Sequence, residues 1–162
     1  AKTFIYALIY GAGDAKLGNV VGGNKDDGKR LRQHFFDNNP SFKYLRDKVS
    51  RAAKKGYLKG LDGRKIFIRS EHAALNSLLQ GGGAVIMKRG LALFDSLIKL
   101  NTYDAKFVAN IHDEWQMEVR EDLADHIGTL AVDCIKTAGN YYDLRCPMDG
   151  EYKIGRDWSE TH

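Results

Sequence analysis

Two hydrophobic periods alternate along this chain, and the switches between them mark out its elements. Phe107, Ala109 and Ile111, then Trp115, Met117 and Val119, repeat with period two on either side of His112-Asp113-Glu114. That pattern predicts an antiparallel pair of strands joined by a tight turn carrying three ionisable side chains. "YLKGLDGRKIFI" (57–68) alternates about Asp62-Gly63 and predicts a second hairpin. Helical spacing places Leu31, Phe35 and Phe36 on one stripe over 25–38. It resumes after Pro40, a good first-turn residue, through Leu45, Val49 and Ala52. A long helix is expected over about 71–100 and another over about 121–138, ended by Gly139. Residues 2–10, "KTFIYALIY", fit a buried strand or a helix by periodicity alone, and Gly11 and Gly13 stop the element. A glycine-rich loop at Gly18, Gly22 and Gly23 and short strands around Leu144 and Tyr152 complete the reading. Gly81, Gly82 and Gly83 interrupt the long helix at a cost of ~1 kcal/mol each relative to Ala. They predict a bend, or a backbone that something else approaches closely.

Composition narrows this little. With 43% hydrophobic residues among 162, the chain has enough apolar material for a core. Lys and Arg outnumber Asp and Glu by 25 to 21, and a pI near 9.0 permits a polyanionic partner without demanding one. No apolar run approaches the ~20 residues of a membrane span, and no charged-then-apolar leader precedes a cleavage site. Cys134 and Cys146 form no CxxC pair and read as buried or inert thiols of a reducing cytoplasm. Without an initiator Met, and with apolar structure from Thr3 onward, the chain reads as a piece of something larger.

Three groups carry candidate chemistry. The cluster of His112, Asp113 and Glu114 at a rigid hairpin tip suits a hard cation such as Mg²⁺, which demands oxygen ligands in tight geometry. A solvated turn with incidental charge fits the same residues equally well. Lys2, Tyr6 and Tyr10, four apart, would share a helical face suited to a phosphate and a flat or sugar-like ligand. By spacing alone, a core helix with a snorkelling Lys is the commoner outcome. Asn76 and Gln80, also four apart, could read acceptor atoms in a minor groove, although such amides usually just face solvent. Gly23-x4-Gly28-Lys29 nearly spells a phosphate-binding loop. Arg30 stands where Ser or Thr should bind Mg²⁺ and no strand precedes it, so it is rejected. The spacing of His34, His72 and His126 supports no metal site.

Four stretches, in order, resemble the C-terminal part of family A DNA polymerases, the class of bacterial Pol I, with replicative polymerases of T-seven-type phages nearest in pattern. "AKTFIYALIYGAGDAKLG" resembles the fingers helix of motif B. "KGLDGRKIFIRSEHAALNSLLQGGGA" resembles the next hairpin and the palm helix that touches primer-template. "VANIHDEWQMEV" resembles motif C, and "GEYKIGRDWSETH" the terminal strand ending in His. The resemblance implies an α+β fold, with fingers helices over 1–69 and part of an antiparallel palm sheet over 70–162. It implies template-directed addition of dNTPs to a primer 3′ end, with Asp113 as a ligand of paired Mg²⁺ ions and Glu114 as an auxiliary catalytic residue. Lys2, Tyr6 and Tyr10 would bind the dNTP. His112, Asn76, Gln80 and His72 would contact primer-template, His72 standing where some members have Arg.

The family's other catalytic aspartate, in motif A upstream of motif B, has no counterpart here. Neither has the Arg four residues before Lys2, nor the thumb, nor an exonuclease. The expectation is a polymerase piece that works beside an N-terminal polypeptide, in the cytoplasm of a host if phage-encoded. A non-catalytic DNA-binding remnant is the alternative. A metal-dependent nuclease using Asp113 and Glu114 is weaker, because it leaves the Lys2/Tyr6/Tyr10 face unexplained.

Overall fold

The computed structural model describes residues 2–162. The fold is α+β, and its residues gather into two compact units, 1–81 and 82–162. The ambiguous N-terminal run is a helix, α1 (Lys2–Ile9), which buries Leu8. Gly11 follows it at φ +77°, and positive φ is what ends an α-helix at low cost. Of the expected glycine loop, Gly22 and Gly23 lie in the turn before the next helix, but Gly18 is buried inside a short helix, α2 (Asp14–Val20). The reason is packing: a Cβ on Gly18 would lie 1.9 Å from the Asn24 carbonyl oxygen, and one on Gly28 would lie 2.0 Å from that of Asp14. These glycines let α2 and α3 (Lys25–Asn38) touch backbone to backbone.

Asn24 caps α3 in a reciprocal box. Its side chain accepts from the Asp26 and Asp27 amides, and the Asp27 carboxylate accepts from the Asn24 amide at 3.0 Å. Pro40 opens α4 (Pro40–Ala53) at the first turn, as the sequence predicts. Leu8, Leu17 and Phe36 form one small core, with Phe4, Phe35 and Phe42 against it. The hairpin about Asp62 forms as β1 (Tyr57–Lys59) and β2 (Lys65–Phe67), in the register Tyr57↔Phe67, Leu58↔Ile66, Lys59↔Lys65. Its buried face joins Val49, Ala53, Ala74 and Leu75 in a second core.

A 3₁₀ turn (Glu71–Ala73) leads into α5 (Ala74–Leu100), which is helical throughout, glycine triplet included. Close approach occurs at one of the three glycines: a Cβ on Gly81 would meet Ile66 Cδ1 at 2.9 Å, while nothing lies within 4 Å of Gly82 or Gly83. The boundary between the two units falls between Gly81 and Gly82.

In the second unit β3 (Ala105–Ile111) pairs antiparallel with β4 (Glu114–Val119), with a register irregularity between Phe107 and Ala109. The core behind the hairpin holds Phe94, Ile98, Ile127 and Cys134. Phe94 is fully buried, stacked on Trp115 at 5.6 Å and 20°, and edge-on to Phe107 at 5.6 Å and 88°. It therefore grips both strands at once.

A second 3₁₀ turn precedes α6 (Ala124–Tyr141), which runs through Gly139 instead of ending there. Met148 explains this, since a Cβ on Gly139 would sit 2.5 Å from its Cγ. The strands expected around Leu144 and Tyr152 are irregular chain. That segment packs by side chain: the Tyr152 ring lies where a Gly128 Cβ would be, and its hydroxyl donates to Asp125 at 3.3 Å. A one-turn helix, α7 (Trp158–Thr161), is capped by the Asp157 carboxylate. Of the two free thiols, Cys134 is buried and its pKa is pushed up to about 11 by desolvation and by Asp133, whereas Cys146 is exposed. No described helix is long and apolar enough to cross a membrane.

Candidate functional site

In the first unit the predicted polar face forms. The Lys2 ammonium lies 5.9 Å from the centroid of the Tyr6 ring, and Tyr6 and Tyr10 stack at 6.3 Å and 17°. Both rings are about half exposed. Helical spacing accounts for this ladder, because residues four apart lie one above the other. It does not account for the partner: Gln80 Nε2, seventy residues on, donates to the Tyr10 hydroxyl at 3.1 Å.

A second contact fixes the same corner. A Cβ on Gly11 would be 2.6 Å from the His72 carbonyl oxygen, so the end of α1 is seated against the turn that starts α5. Lys2, Tyr6, Tyr10, His72 and Gln80 thus belong to one corner of this unit. Asn76 lies one turn before Gln80 on α5, half-buried, and its Oδ1 has no hydrogen-bond partner among the described residues. The Tyr10–Gln80 bond is expected to contribute ~1 kcal/mol, reduced by its exposure. A double-mutant cycle of Tyr10→Phe and Gln80→Ala read by urea unfolding should show coupling of about 0.5 kcal/mol or more. Strict additivity would mean that the bond contributes nothing.

In the second unit the acidic cluster sits at the hairpin tip. Ile111 pairs with Glu114, leaving His112 and Asp113 as a two-residue turn with His112 at φ +54°. Tight hairpin turns require positive φ, and His is among the residues that tolerate it. All three side chains are exposed. The Asp113 carboxylate makes no hydrogen bond or ion pair among the described residues.

Glu114 is tied down. It accepts from Gln116 Nε2 at 2.8 Å and pairs with His162 Nε2 at 2.9 Å, while the His162 ring lies flat on Trp158 at 3.8 Å and 2°. The Gln116 bond holds the Glu114 carboxyl below the ordinary range, partial desolvation opposes this, and His162 and Lys153 reinforce it. Depression in the folded state means these bonds act fully above the ordinary glutamate range and fade as pH falls through the lowered value. Following Glu114 by NMR, Gln116→Ala and His162→Ala should each raise its titration midpoint. An unmoved midpoint in both variants would remove this account.

Sequence patterning points to each residue of the tip but not to the clasp of Gln116, Trp158 and His162 around Glu114. The i,i+4 spacing of Trp158 and His162 is the signal that could have found it. For a divalent cation the donors are right in kind and short in number. Asp113 offers a hard oxygen with no protein partner, yet no three His, Cys, Asp or Glu side chains gather into an ion site among the described residues. The tip fits a contributor to a metal site, not a complete one.

Comparison with known proteins bears on both groups. The sequence model for DNA polymerase family A matches residues 1–160. A DNA-directed DNA polymerase of Escherichia phage Phieco32 is 41% identical over 169 residues, covering 100% of this chain and 28% of that protein. The corresponding enzyme of Escherichia phage T7 is 35% identical over 184 residues, covering 100% and 26%. The POL domain of Pol1 from M. smegmatis, in complex with DNA primer-template and dNTP, aligns with a TM-score of 0.77 at 25% identity, over 85% of this chain and 26% of that one. The chain therefore spans between a quarter and a third of the length of these relatives.

Proposed function

The chain belongs to DNA polymerase family A, and from that premise we propose that it is the motif B to motif C portion of a template-directed DNA polymerase, acting with an N-terminal polypeptide. The observation that carries the reading is the hairpin tip. An unpartnered Asp113 stands on a two-residue turn beside a Glu114 held by Gln116 and by a His162 that is itself stacked on Trp158. A carboxylate with no protein partner retains its full capacity to hold a cation.

In this reading, residues 1–69 are fingers and 70–162 are palm. Asp113 shares Mg²⁺ with an aspartate of the N-terminal part, which also supplies the thumb and any exonuclease. Two bound Mg²⁺ ions would activate the primer hydroxyl and stabilise the departing pyrophosphate. The chain's own residues position the reactants, which is most of what phosphoryl transfer asks of a protein. Lys2 neutralises triphosphate charge and Tyr6 faces the sugar. Tyr10, held by Gln80, backs the nascent pair. Asn76 and Gln80 contact the minor groove, whose acceptor atoms are common to all correct pairs, so they test geometry independently of sequence. His72 contacts the primer-template backbone, and His112 meets the primer terminus beside Asp113. Glu114 orients the tip, and its clasp through His162 keeps that orientation fixed. The setting is cytoplasmic.

Primer extension with Mg²⁺ and four dNTPs tests the reading, with this chain alone and then mixed with the neighbouring upstream polypeptide. Extension in the mixture only is the expected result. Extension by the chain alone would show that another carboxylate replaces the upstream one. DNA binding without extension in either arm would identify a non-catalytic remnant.

A further inference from the structure

The positive charge of this protein is concentrated in one place. Residues 51–69 contain seven Lys or Arg and a single acidic residue, Asp62, a local charge of +6 in a chain whose net charge is +4. Asp62 is engaged by Arg64. Lys54, Lys55, Lys59, Lys65 and Arg69 are exposed and form no ion pair among the described residues.

The β1–β2 hairpin arranges part of this charge with aromatic rings. Leu58 points into the core and its partner Ile66 is half-buried against Gly81, so alternation turns Tyr57, Lys59, Lys65 and Phe67 to the opposite, exposed face. On that face Tyr57 is paired with Phe67 and Lys59 with Lys65. The Lys65 ammonium lies 4.8 Å from the Tyr57 ring centroid, and Phe67 is 77% exposed.

Two features of this face are unsatisfied in the free protein. Like charges directly opposite across a hairpin repel, and a bare Phe gains nothing in water. An anionic ligand with flat apolar faces relieves both at once.

We propose that this face is a stacking platform for single-stranded DNA, with bases against Tyr57 and Phe67 and phosphates against Lys59 and Lys65. Basic side chains interleaved with aromatic rings are what sequence-tolerant single-strand binding requires. An acidic peptide would use the lysines and leave the rings unemployed. A duplex hides its base faces. The choice of DNA over RNA rests on the polymerase reading; the platform itself does not.

The test is fluorescence anisotropy of the full chain with a labelled oligo(dT) of ~12 nucleotides over a range of salt. Removing both rings (Tyr57→Ala with Phe67→Ala) should weaken binding at least about fivefold and leave the salt dependence unchanged. Lys59→Gln with Lys65→Gln should weaken binding and flatten the salt slope by ~0.7 for each phosphate that is no longer neutralised. An oligo(U) of equal length reports on the sugar. Discrimination in favour of RNA would overturn the assignment to DNA.

A ring-deleted variant that binds within about twofold of the parent would overturn the platform. So would a poly-Glu peptide that displaces oligo(dT) equally well from parent and ring-deleted protein. Should the double variant lose its circular dichroism spectrum, Phe67→Ala alone, at the most exposed ring, decides the question. Asp113→Ala should bind oligo(dT) like the parent, so failure of primer extension and failure of this surface are separately visible.

Discussion

On the proposed reading, Asp113→Ala should reduce primer extension by this chain mixed with its upstream polypeptide at least about a thousandfold, equivalent to ~4 kcal/mol of transition-state stabilisation. Affinity for primer-template should stay within about twofold of the parent, since an exposed acidic side chain makes no favourable contact with phosphate. The structure explains why the two effects should separate. Asp113 is exposed at the turn, makes no hydrogen bond or ion pair among the described residues, and supports no part of either core. Its removal takes away one oxygen donor and little folding energy. Asp113→Asn is the sharper variant, because it keeps shape and one neutral oxygen while removing the charge. It should fail nearly as completely. Single-turnover extension, with binding measured separately, checks both statements. Substantial extension by Asp113→Asn would move the catalytic carboxylate elsewhere.

Phe94→Ala should destabilise the second unit by ~3–5 kcal/mol. Phe94 is fully buried, with Trp115 of β4 stacked on it and Phe107 of β3 packed edge-on. Truncation leaves a cavity beneath both strands that carry the His112-Asp113 tip. That destabilisation is a large part of the stability of an ordinary domain. The signature in urea unfolding is a lower midpoint, with the near-ultraviolet signal of Trp115 disappearing first. Phe94→Leu fills most of the volume and should cost well under half as much. A Phe94→Ala protein as stable as the parent would show that the hairpin is held by something other than this aromatic packing.

Local signals made much of the fold legible. Alternation at 107–119 and 57–68 named both hairpins, and each pairs about the predicted turn. Pro40 is where first-turn chemistry would put the start of α4. The glycine misreadings share one cause. Gly18, Gly81 and Gly139 looked like breakers, yet all three are helical. Propensity prices a glycine in isolation, at ~1 kcal/mol, whereas here Asn24, Ile66 or Met148 occupies the space a Cβ would need. Strands expected near Leu144 and Tyr152 failed for the converse reason. A strand needs a partner, and there the chain packs on α6 through side chains such as Tyr152 on Gly128.

The sequence by itself determined both hairpins, the turn that presents His112 and Asp113, the helices that follow Asn24 and start at Pro40, and the family. Each depends on neighbours within about one turn, or on ordered motifs that survive without coordinates. Only the tertiary structure decided that Gln80 holds Tyr10, that Gly11 seats against His72, and that His162 stacks on Trp158 to clasp Glu114. It also set the two lysines and two aromatic rings face to face on β1–β2. These pairings join residues up to seventy positions apart. Their free energy comes from shape and charge matched across the fold, which no local pattern encodes.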